Sequence, residues 1–280
     1  MAVITLTSVS GSPGVSTAAI ALGVHWPRPV VVIEADTNAV TSAMPGFFRS
    51  NLLPELGGID KLQLAYSRGV LTREDLLDPE RFLAIAVHEL PPIKAAPIPT
   101  IAAGHKLWIV PGFFHLGIAD GVSGLWVRLP ELLRSLSEAG IDVIIDLGRL
   151  GRDDVRLPLI DTSDRVLICA NSTMVDLNRL YRRLEGTDLT QRVGVSVGSA
   201  EKFLLLLNEA PAEQIPASDF AANTLPVLAT LPFDPQGAAT FSVGRPDPKP
   251  NRNAYRQKIR SVIAGLGTII GYTDLDRSAS

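Results

Sequence analysis

The glycine-rich segment at residues 11–17 is the feature that most constrains the fold of this chain. It follows an alternating apolar run at residues 3–9 and precedes an alanine- and leucine-rich run at residues 16–26. A strand, a glycine loop and a helix in this order let consecutive backbone N–H groups curl around an anion, and the helix N-terminus adds a favourable dipole. The segment therefore predicts a phosphate-binding loop made of Gly11, Ser12, Pro13, Gly14, Val15, Ser16 and Thr17.

The rest of the chain alternates between short apolar runs and helical patterns. An uninterrupted apolar run such as residues 30–33 is typical of a strand that helices bury on both faces, and a hydrophobic content of 46% suits the large core of such a fold. We therefore predict an α/β fold with a mostly parallel central sheet and helices on both faces. Strands are expected at residues 3–9, 30–36, 107–111, 142–146, 166–170, 203–208 and 227–232, and helices at 16–26, 57–69, 71–77, 125–139, 174–184 and 252–270.

The predicted organisation is one α/β domain at residues 1–243, a turn-rich linker at 244–251, and a C-terminal helix and tail at 252–280 packed on the domain. No strand is placed within residues 41–105, and the proline-rich residues 90–99 are expected to form a loop. The last helix carries an apolar stripe that suits membrane docking or packing on the domain, and packing is favoured. This stripe comprises Ile259, Val262, Ile263, Leu266 and Ile270, with Arg256, Lys258 and Arg260 off it.

The charge balance limits the classes of partner. A net charge of −3 gives no bulk positive field, so DNA binding is expected to be weak and sensitive to salt, or absent. Arg179, Arg182 and Arg183 share one predicted helix, which we interpret as a solvated face. The single cysteine, Cys169, lies in an apolar run, and neither a signal peptide nor a membrane-length apolar window is evident. These features predict a soluble cytoplasmic protein.

Two aspartates end predicted strands. In an open parallel sheet, ligands lie beyond the carboxyl ends of the strands, which is where the sequence places Asp36 and Asp146. Together with Ser16 they predict a magnesium site, since Mg²⁺ needs only one or two protein oxygens besides water and phosphate. The alternative is that the aspartates are caps or ion-pair partners, and that the loop is an ordinary turn with Ser16 as the helix N-cap.

The order and spacing of these segments resemble the ParA/MinD branch of P-loop ATPases, of the SIMIBI class, bacterial proteins that position chromosomes, plasmids, septa or surface machines. The family's loop reads K-G-G-x-G-K-S/T, with Gly11 and Gly14 matching its glycines and Ser16 its magnesium ligand. Residues 34–36 resemble its D-x-D-like motif, and residues 143–146 its Walker B strand. The resemblance covers most of the chain, although residues 41–105 and the last helix match poorly.

The resemblance implies a set of functions for further residues. Asp36 would orient the attacking water, whereas Glu34 differs from the family's aspartate by one methylene group. Asn208 would contact adenine, with capping of a turn as its alternative, and Pro232 and Asp234 match the family's "IP-x-D" segment near the base. The implied cofactors are ATP or ADP with Mg²⁺, and the implied partners are a second copy of the chain, in a nucleotide-dependent homodimer, and a further protein.

Two lysines of the family are missing. Val15 stands at the position of the loop lysine and Ser10 at that of the signature lysine. An ammonium group near a phosphoryl oxygen supplies charge stabilisation whose loss costs on the order of 10² to 10³ in rate. The sequence therefore predicts slow or absent ATP hydrolysis, with a nucleotide-independent pseudo-ATPase scaffold as the alternative. Whether Arg149 or Arg152 replaces the lost charge stays open.

Overall fold

The chain forms one twisted sheet between two layers of helices. The computed structural model describes residues 2–11, 13–49, 57–90, 101–185, 189, 202–247 and 249–272, except the side chain of Asp120. Within them the strand order is β3-β4-β2-β5-β1-β6-β7-β8. The strands are β1 (Val3–Ser8), β2 (Val30–Glu34), β3 (Ile85–Ala86), β4 (Leu107–Val110), β5 (Asp142–Arg149), β6 (Arg165–Asn171), β7 (Phe203–Asn208) and β8 (Val227–Leu231).

All neighbouring strands run parallel except the short β3, which is antiparallel to β4. The predicted α/β fold with a mostly parallel sheet is therefore confirmed. The helices are α1 (Val15–His25), α2 (Ile59–Ser67), α3 (Arg73–Leu77), α4 (Ser123–Glu138), α5 (Leu157–Thr162), α6 (Met174–Leu184), α7 (Ala217–Asn223), α8 (Pro235–Ser242) and α9 (Ala254–Ile270). A π-helix spans Ala43–Phe47, and 3-10 helices span Val87–Glu89, Leu116–Gly121 and Pro250–Arg252.

Each face of the sheet has its own apolar core. Ile4 and Leu6 pack against one core, which α1, α8 and α9 cover. Val31 and Ile33 pack against the other core, which α2 to α7 cover. Because consecutive strand residues point to opposite faces, an apolar run without alternation fills both cores at once. Cys169 lies on β6 and is 1% exposed, as the apolar run around it predicts.

The largest differences between the observed and the predicted elements concern two strands and three short helices. β5 continues to Arg149, three residues beyond the prediction, because Ser8 of β1 pairs with Arg149. The strand β3 lies within residues 41–105, where no strand was placed. The helices α5, α7 and α8 were not predicted either. The predicted loop at 90–99 lies outside the described residues, apart from Leu90.

The apolar stripe of α9 lies against the core on one face of the sheet. Ile259, Val262 and Leu266 are buried in the core that α1 also covers. The expectation that Arg256 lies off the stripe is wrong, because Arg256 is 5% exposed and its Nη2 lies 3.1 Å from Oδ2 of Asp247. This ion pair fastens the segment before α9 to the helix. No helix in the described part of the chain is long and apolar enough to cross a membrane.

Candidate functional site

The predicted site residues meet at the carboxyl edge of the sheet. The glycine loop follows β1, Asp36 lies two residues beyond β2, and Asp146 lies within β5 next to β1. Asn208 ends β7, and Pro232 follows β8. Since these strands are parallel, their carboxyl ends lie along one edge, and the glycine loop sits near the middle of that edge.

Two glycines of the loop have left-handed backbone conformations. Gly11 and Gly14 have φ angles of +60° and +72°, which glycine adopts without steric cost. Gly14 is the N-cap of α1 and provides no side-chain hydrogen bond, so the first-turn N–H groups are left for a ligand or water. The alternative that Ser16 caps this helix is therefore wrong. Ser12 lies outside the described residues.

Asp146 is a buried carboxyl group beside the loop. It is 1% exposed, and it accepts hydrogen bonds from the backbone N–H of Gly148, at 2.8 Å, and from the Ser16 hydroxyl. Burial in the first place, and the charges of Glu34 and Asp36 after it, raise its pKa to about 7, although the two hydrogen bonds act to lower the pKa. The carboxylate form is therefore unfavourable unless a cation offsets its charge.

Glu34 has a structural function that the sequence did not reveal. Its Oε1 accepts hydrogen bonds from the Ser42 N–H and hydroxyl and from the Ala43 N–H. Its Oε2 accepts from the Thr41 hydroxyl and the Gly112 N–H. With both oxygens engaged and the residue 3% exposed, Glu34 fixes the π-helix and the end of β4 to β2. It is not available as a metal ligand.

Asp36 lies against the backbone of β5. Its Oδ1 accepts a hydrogen bond of 2.8 Å from the Asn38 N–H, and its side chain is 23% exposed. A Cβ atom built on Gly148, whose φ is +55°, would stand 2.0 Å from Oδ2 of Asp36. Glycine at 148 is therefore what makes room for this carboxylate beside the Walker B-like strand.

Arg156 forms an ion pair with Asp36, with its Nη1 4.0 Å from Oδ1 of the carboxylate, and the sequence did not predict this contact. Arg156 is 0% exposed, yet all five of its guanidinium N–H groups donate hydrogen bonds. Nη1 donates to the carbonyls of Ala35 and Leu147, Nη2 to the Arg149 carbonyl and Asp154, and Nε to Asp154. Because its donors are used internally, Arg156 holds the ends of β2 and β5 together and is not free to bind a phosphate.

A largely apolar cavity of about 500 Å³ adjoins the loop on its β7 and β8 side. Asn208 lines it, but Nδ2 of Asn208 donates to the Pro13 carbonyl at 2.6 Å, which ties the loop to β7. Asp234 also lines it, and its Oδ1 caps α8 through the Gly237 N–H at 2.9 Å. The cavity has the size and apolar character of a site for a nucleoside. Its apolar walls include Pro13, Pro211, Pro232, Phe233 and Tyr255.

The donor set of Ser16, Asp36 and Asp146 fits a magnesium ion. A hydroxyl and carboxylates are the hard oxygen ligands that Mg²⁺ prefers, and Asp146 is buried without a salt-bridge cation in the described chain. No group of three or more His, Cys, Asp or Glu side chains is arranged for a metal among those residues. A site with few protein ligands, completed by phosphate and water, is consistent with both observations.

The positions of the two missing lysines are both occupied by inward-facing side chains. Val15 is 5% exposed and Ser10 is 9% exposed, and the Ser10 hydroxyl donates to Oδ1 of Asp176 at 3.1 Å. Of the two arginines considered as replacements, Arg149 lines a cavity together with Ser10 and Gly11. Arg152 is exposed in the loop after β5 and does not line that cavity.

Solved structures share this architecture over nearly the whole chain. The septum site-determining protein MinD of Pyrococcus horikoshii OT3, complexed with Mg-ADP, is 17% identical with a TM-score of 0.65, covering 97% of this chain and 98% of that one. A ParA family ATPase from Chlorobium tepidum TLS is 15% identical with a TM-score of 0.64, covering 95% and 98%. An ATP complex of a single-residue variant of Cyanothece McdA is 18% identical with a TM-score of 0.62, covering 97% and 96%.

These likenesses show the fold. The chain has the ParA/MinD-like P-loop ATPase fold, as the order of its sequence motifs predicts. No protein-family model and no curated protein matches the sequence.

Proposed function

We propose that this chain binds ATP with Mg²⁺ and uses the nucleotide to control self-association or partner recruitment in intracellular positioning or partitioning, with slow or absent hydrolysis. The observation that carries the proposal is the glycine loop, whose helix N-terminus has no side-chain cap, beside a buried Asp146 that forms no ion pair with any described residue. The similar structures support it, because one is complexed with Mg-ADP and another with ATP.

Each part of the site has a physical task in this proposal. The first-turn N–H groups of α1 and the helix dipole attract the phosphates, and the apolar cavity beside Asn208 receives the base. Ser16, Asp36 and Asp146 hold the magnesium ion, which when bound offsets phosphate charge. Asp36 is the group that orients water, because it combines partial exposure with a position fixed by Asn38 and Gly148. With Val15 in place of a lysine, the loop lacks the ammonium that stabilises the transition state.

Calorimetry on the full chain tests nucleotide binding directly. We expect binding of ATP and ADP in the presence of Mg²⁺, and loss of both in Gly14→Arg, which places a side chain at the φ of +72° and in the loop's open space. Gly140→Arg is the matched control, because Gly140 also has a positive φ, +82°, and open space around it, but lies after α4. Absence of binding by the wild-type chain at about 1 mM nucleotide would contradict the proposal.

A second function, the nucleotide-independent scaffold, is favoured by one specific observation. The protein's own side chains hold the loop, since Asn208 binds the Pro13 carbonyl and Asp176 binds the Ser10 hydroxyl. A scaffold predicts that sedimentation velocity gives the same state of association with and without Mg-ATP, and that Asp36→Ala and Gly14→Arg leave it unchanged. The nucleotide-controlled function predicts a shift on adding Mg-ATP that both variants abolish and Gly140→Arg retains.

A further inference from the structure

A second cavity, of about 640 Å³, lies on the other side of the glycine loop. We refer to it as the arginine groove. Its arginines are Arg149 from the end of β5 and three residues of α6, and it reaches the loop at Ser10 and Gly11. No carboxylate is among the described residues that line it. The three arginines from α6 are Arg179, Arg182 and Arg183.

A buried carboxylate connects helix α6, which forms one wall of the arginine groove, to the glycine loop. Asp176, in the first turn of α6, is 5% exposed and accepts a hydrogen bond of 3.1 Å from the Ser10 hydroxyl. Nη1 of Arg179, one turn later, lies 3.7 Å from the same Oδ1 atom. Ser10, at the position of the missing signature lysine, thus shares the Asp176 carboxylate with Arg179. This carboxylate holds the Arg179 guanidinium beside the loop.

The opposite wall of the groove is fixed as well. Arg149 ends β5 and pairs with Ser8 of β1 in the sheet register, two residues before Ser10. The guanidinium of Arg183 donates a hydrogen bond to the Gly151 carbonyl, which joins α6 to the segment that follows β5. Arg182 has an exposed partner, Glu185, at 3.0 Å. Two of the groove arginines are therefore linked to the loop and the strand before it: Arg149 through its pairing with Ser8, and Arg179 through the Asp176 carboxylate that also binds Ser10.

The two cavities divide the loop between them. Pro13, Gly14 and Thr17 line the apolar cavity, whereas Ser10 and Gly11 line the arginine groove. A nucleotide with its base in the apolar cavity and its phosphates along the loop would extend its last phosphate towards the groove. Guanidinium groups bind phosphate oxygens with two parallel hydrogen bonds and keep their charge at any physiological pH.

We propose that the arginine groove binds the terminal phosphate of a nucleoside triphosphate, with Arg149 and Arg179 providing the positive charge that the loop lacks. The groove then distinguishes a triphosphate from a diphosphate, because only the triphosphate reaches it. This inference rests on the proposed nucleotide binding. It assigns phosphate binding to arginines of β5 and α6, whereas the sequence analysis interpreted the α6 arginines as a solvated helix face.

The test compares the affinity of the full chain for AMPPNP and ADP, each with Mg²⁺, by calorimetry. In Arg149→Gln/Arg179→Gln we expect AMPPNP to bind at least about 10-fold more weakly, as for the loss of charge-assisted hydrogen bonds, while ADP binding changes less than about twofold. Arg134→Gln, an exposed arginine on α4, is the matched control and should leave both affinities unchanged. Circular dichroism confirms that the variants are folded.

The possible outcomes separate the two proposals. If the double variant lost AMPPNP and ADP binding equally, or lost neither, the terminal-phosphate site would be wrong. The proposal that the wild-type chain binds nucleotide would still stand. A wild-type chain that binds neither nucleotide would overturn the proposed function and this inference together. If the double variant lost a DNA mobility shift of the wild-type chain but kept its AMPPNP to ADP affinity ratio, the groove would be a nucleic-acid surface and the inference would be wrong.

Discussion

Asp142 and Asp146 lie four residues apart on β5, and both are buried, yet their surroundings differ. Asp142, at the amino edge of the sheet, accepts hydrogen bonds from the Ala2 N–H, the Trp26 Nε1–H and the Tyr272 hydroxyl, and Arg28 lies 3.5 Å away. Asp146, at the carboxyl edge, has two hydrogen bonds and acidic neighbours. The first arrangement stabilises a carboxylate internally, whereas the second leaves a charge for a ligand to offset.

Replacing Asp146 by asparagine should stabilise the nucleotide-free chain at alkaline pH. The folded pKa, about 7, lies above the unfolded value of 3.8, so the folded state binds more protons between these values and stability falls as pH rises. Asp146→Asn removes this cost, which is at most about 1.4 kcal/mol per pKa unit. Urea unfolding should show a gain over wild type that is larger at pH 8 than at pH 5.

The same variant should lose magnesium-dependent nucleotide binding, so stability and binding change in opposite directions. Asp153→Asn, at an exposed position in the following loop, should alter neither. A stability gain that did not depend on pH would contradict the explanation by titration of Asp146.

Glu34→Gln should destabilise the chain strongly although it is nearly isosteric. An amide has one acceptor oxygen, so its NH₂ group must face either the donors at Ser42 and Ala43 or those at Thr41 and Gly112. Unsatisfied or opposed buried donors cost about 1–3 kcal/mol each. We expect a loss of about 3 kcal/mol by urea unfolding, with the half-exposed Glu89→Gln as an unaffected control. A change below about 0.5 kcal/mol would contradict the role assigned to Glu34.

At the scale of elements, the sequence predicted those whose pattern is local. Local apolar runs predicted the strands β1, β2, β4, β5, β6, β7 and β8, and helical patterns predicted α1, α4, α6 and α9. The order of these elements brings Gly11, Asp36 and Asp146 to one edge. The π-helix at Ala43–Phe47 depends instead on hydrogen bonds to Glu34, and β3 exists through its pairing with β4. Such elements have no sequence period of their own, because the interactions that select them are tertiary.

Local sequence patterns could not predict two further features of the site. Arg156 acts on the carbonyl of Ala35, 121 residues away, and no spacing in the sequence reports such a contact. The arginine groove joins Arg149 of β5 to α6 through the sheet order. The sequence alone indicated only that the α6 arginines form a charged helix face.

The packing of α1 on α8 should make the fold sensitive to acid. His25 ends α1, its ring packs edge-on against Phe241 of α8, and burial first, then the charges of Arg256 and Arg260, lower its pKa from 6.5 to about 3. Between these values only the unfolded chain binds the proton, so stability falls as pH decreases below about 6.5, by up to about 1.4 kcal/mol per pH unit.

His25→Phe keeps an aromatic ring and removes this titration. Its unfolding free energy should therefore fall less than that of wild type between pH 7 and pH 5, as measured by urea unfolding at both values. His115→Phe, which changes an exposed histidine, should follow the wild-type curve. Parallel curves for wild type and His25→Phe would show that His25 does not titrate during unfolding.

For the whole molecule, the site joins strands from both halves of the sheet, so a bound nucleotide should stabilise the entire domain. The loop follows the central β1, the acids come from β2 and β5, and the apolar cavity is lined from β6, β7 and β8. At about 100 times its dissociation constant, a ligand adds about 2.7 kcal/mol. For a chain of this length that corresponds to a rise in Tm of about 5 °C or more.

Differential scanning fluorimetry with Mg-ATP measures this shift. Gly140→Arg should show it in full, and Gly14→Arg should not. If the Tm of Gly14→Arg rose as much as that of wild type on adding Mg-ATP, the nucleotide would bind somewhere other than the loop.

The close approach of Asp36 to Gly148 has a consequence for comparing this chain with others of its architecture. The space that the carboxylate occupies exists only while position 148 carries a hydrogen atom instead of a methyl group. The two positions should therefore covary: wherever a bulkier residue replaces this glycine, the acid after the second strand should be lost or moved. An alignment of diverged sequences can thus show which of them kept the acid in working position, before any of them is purified.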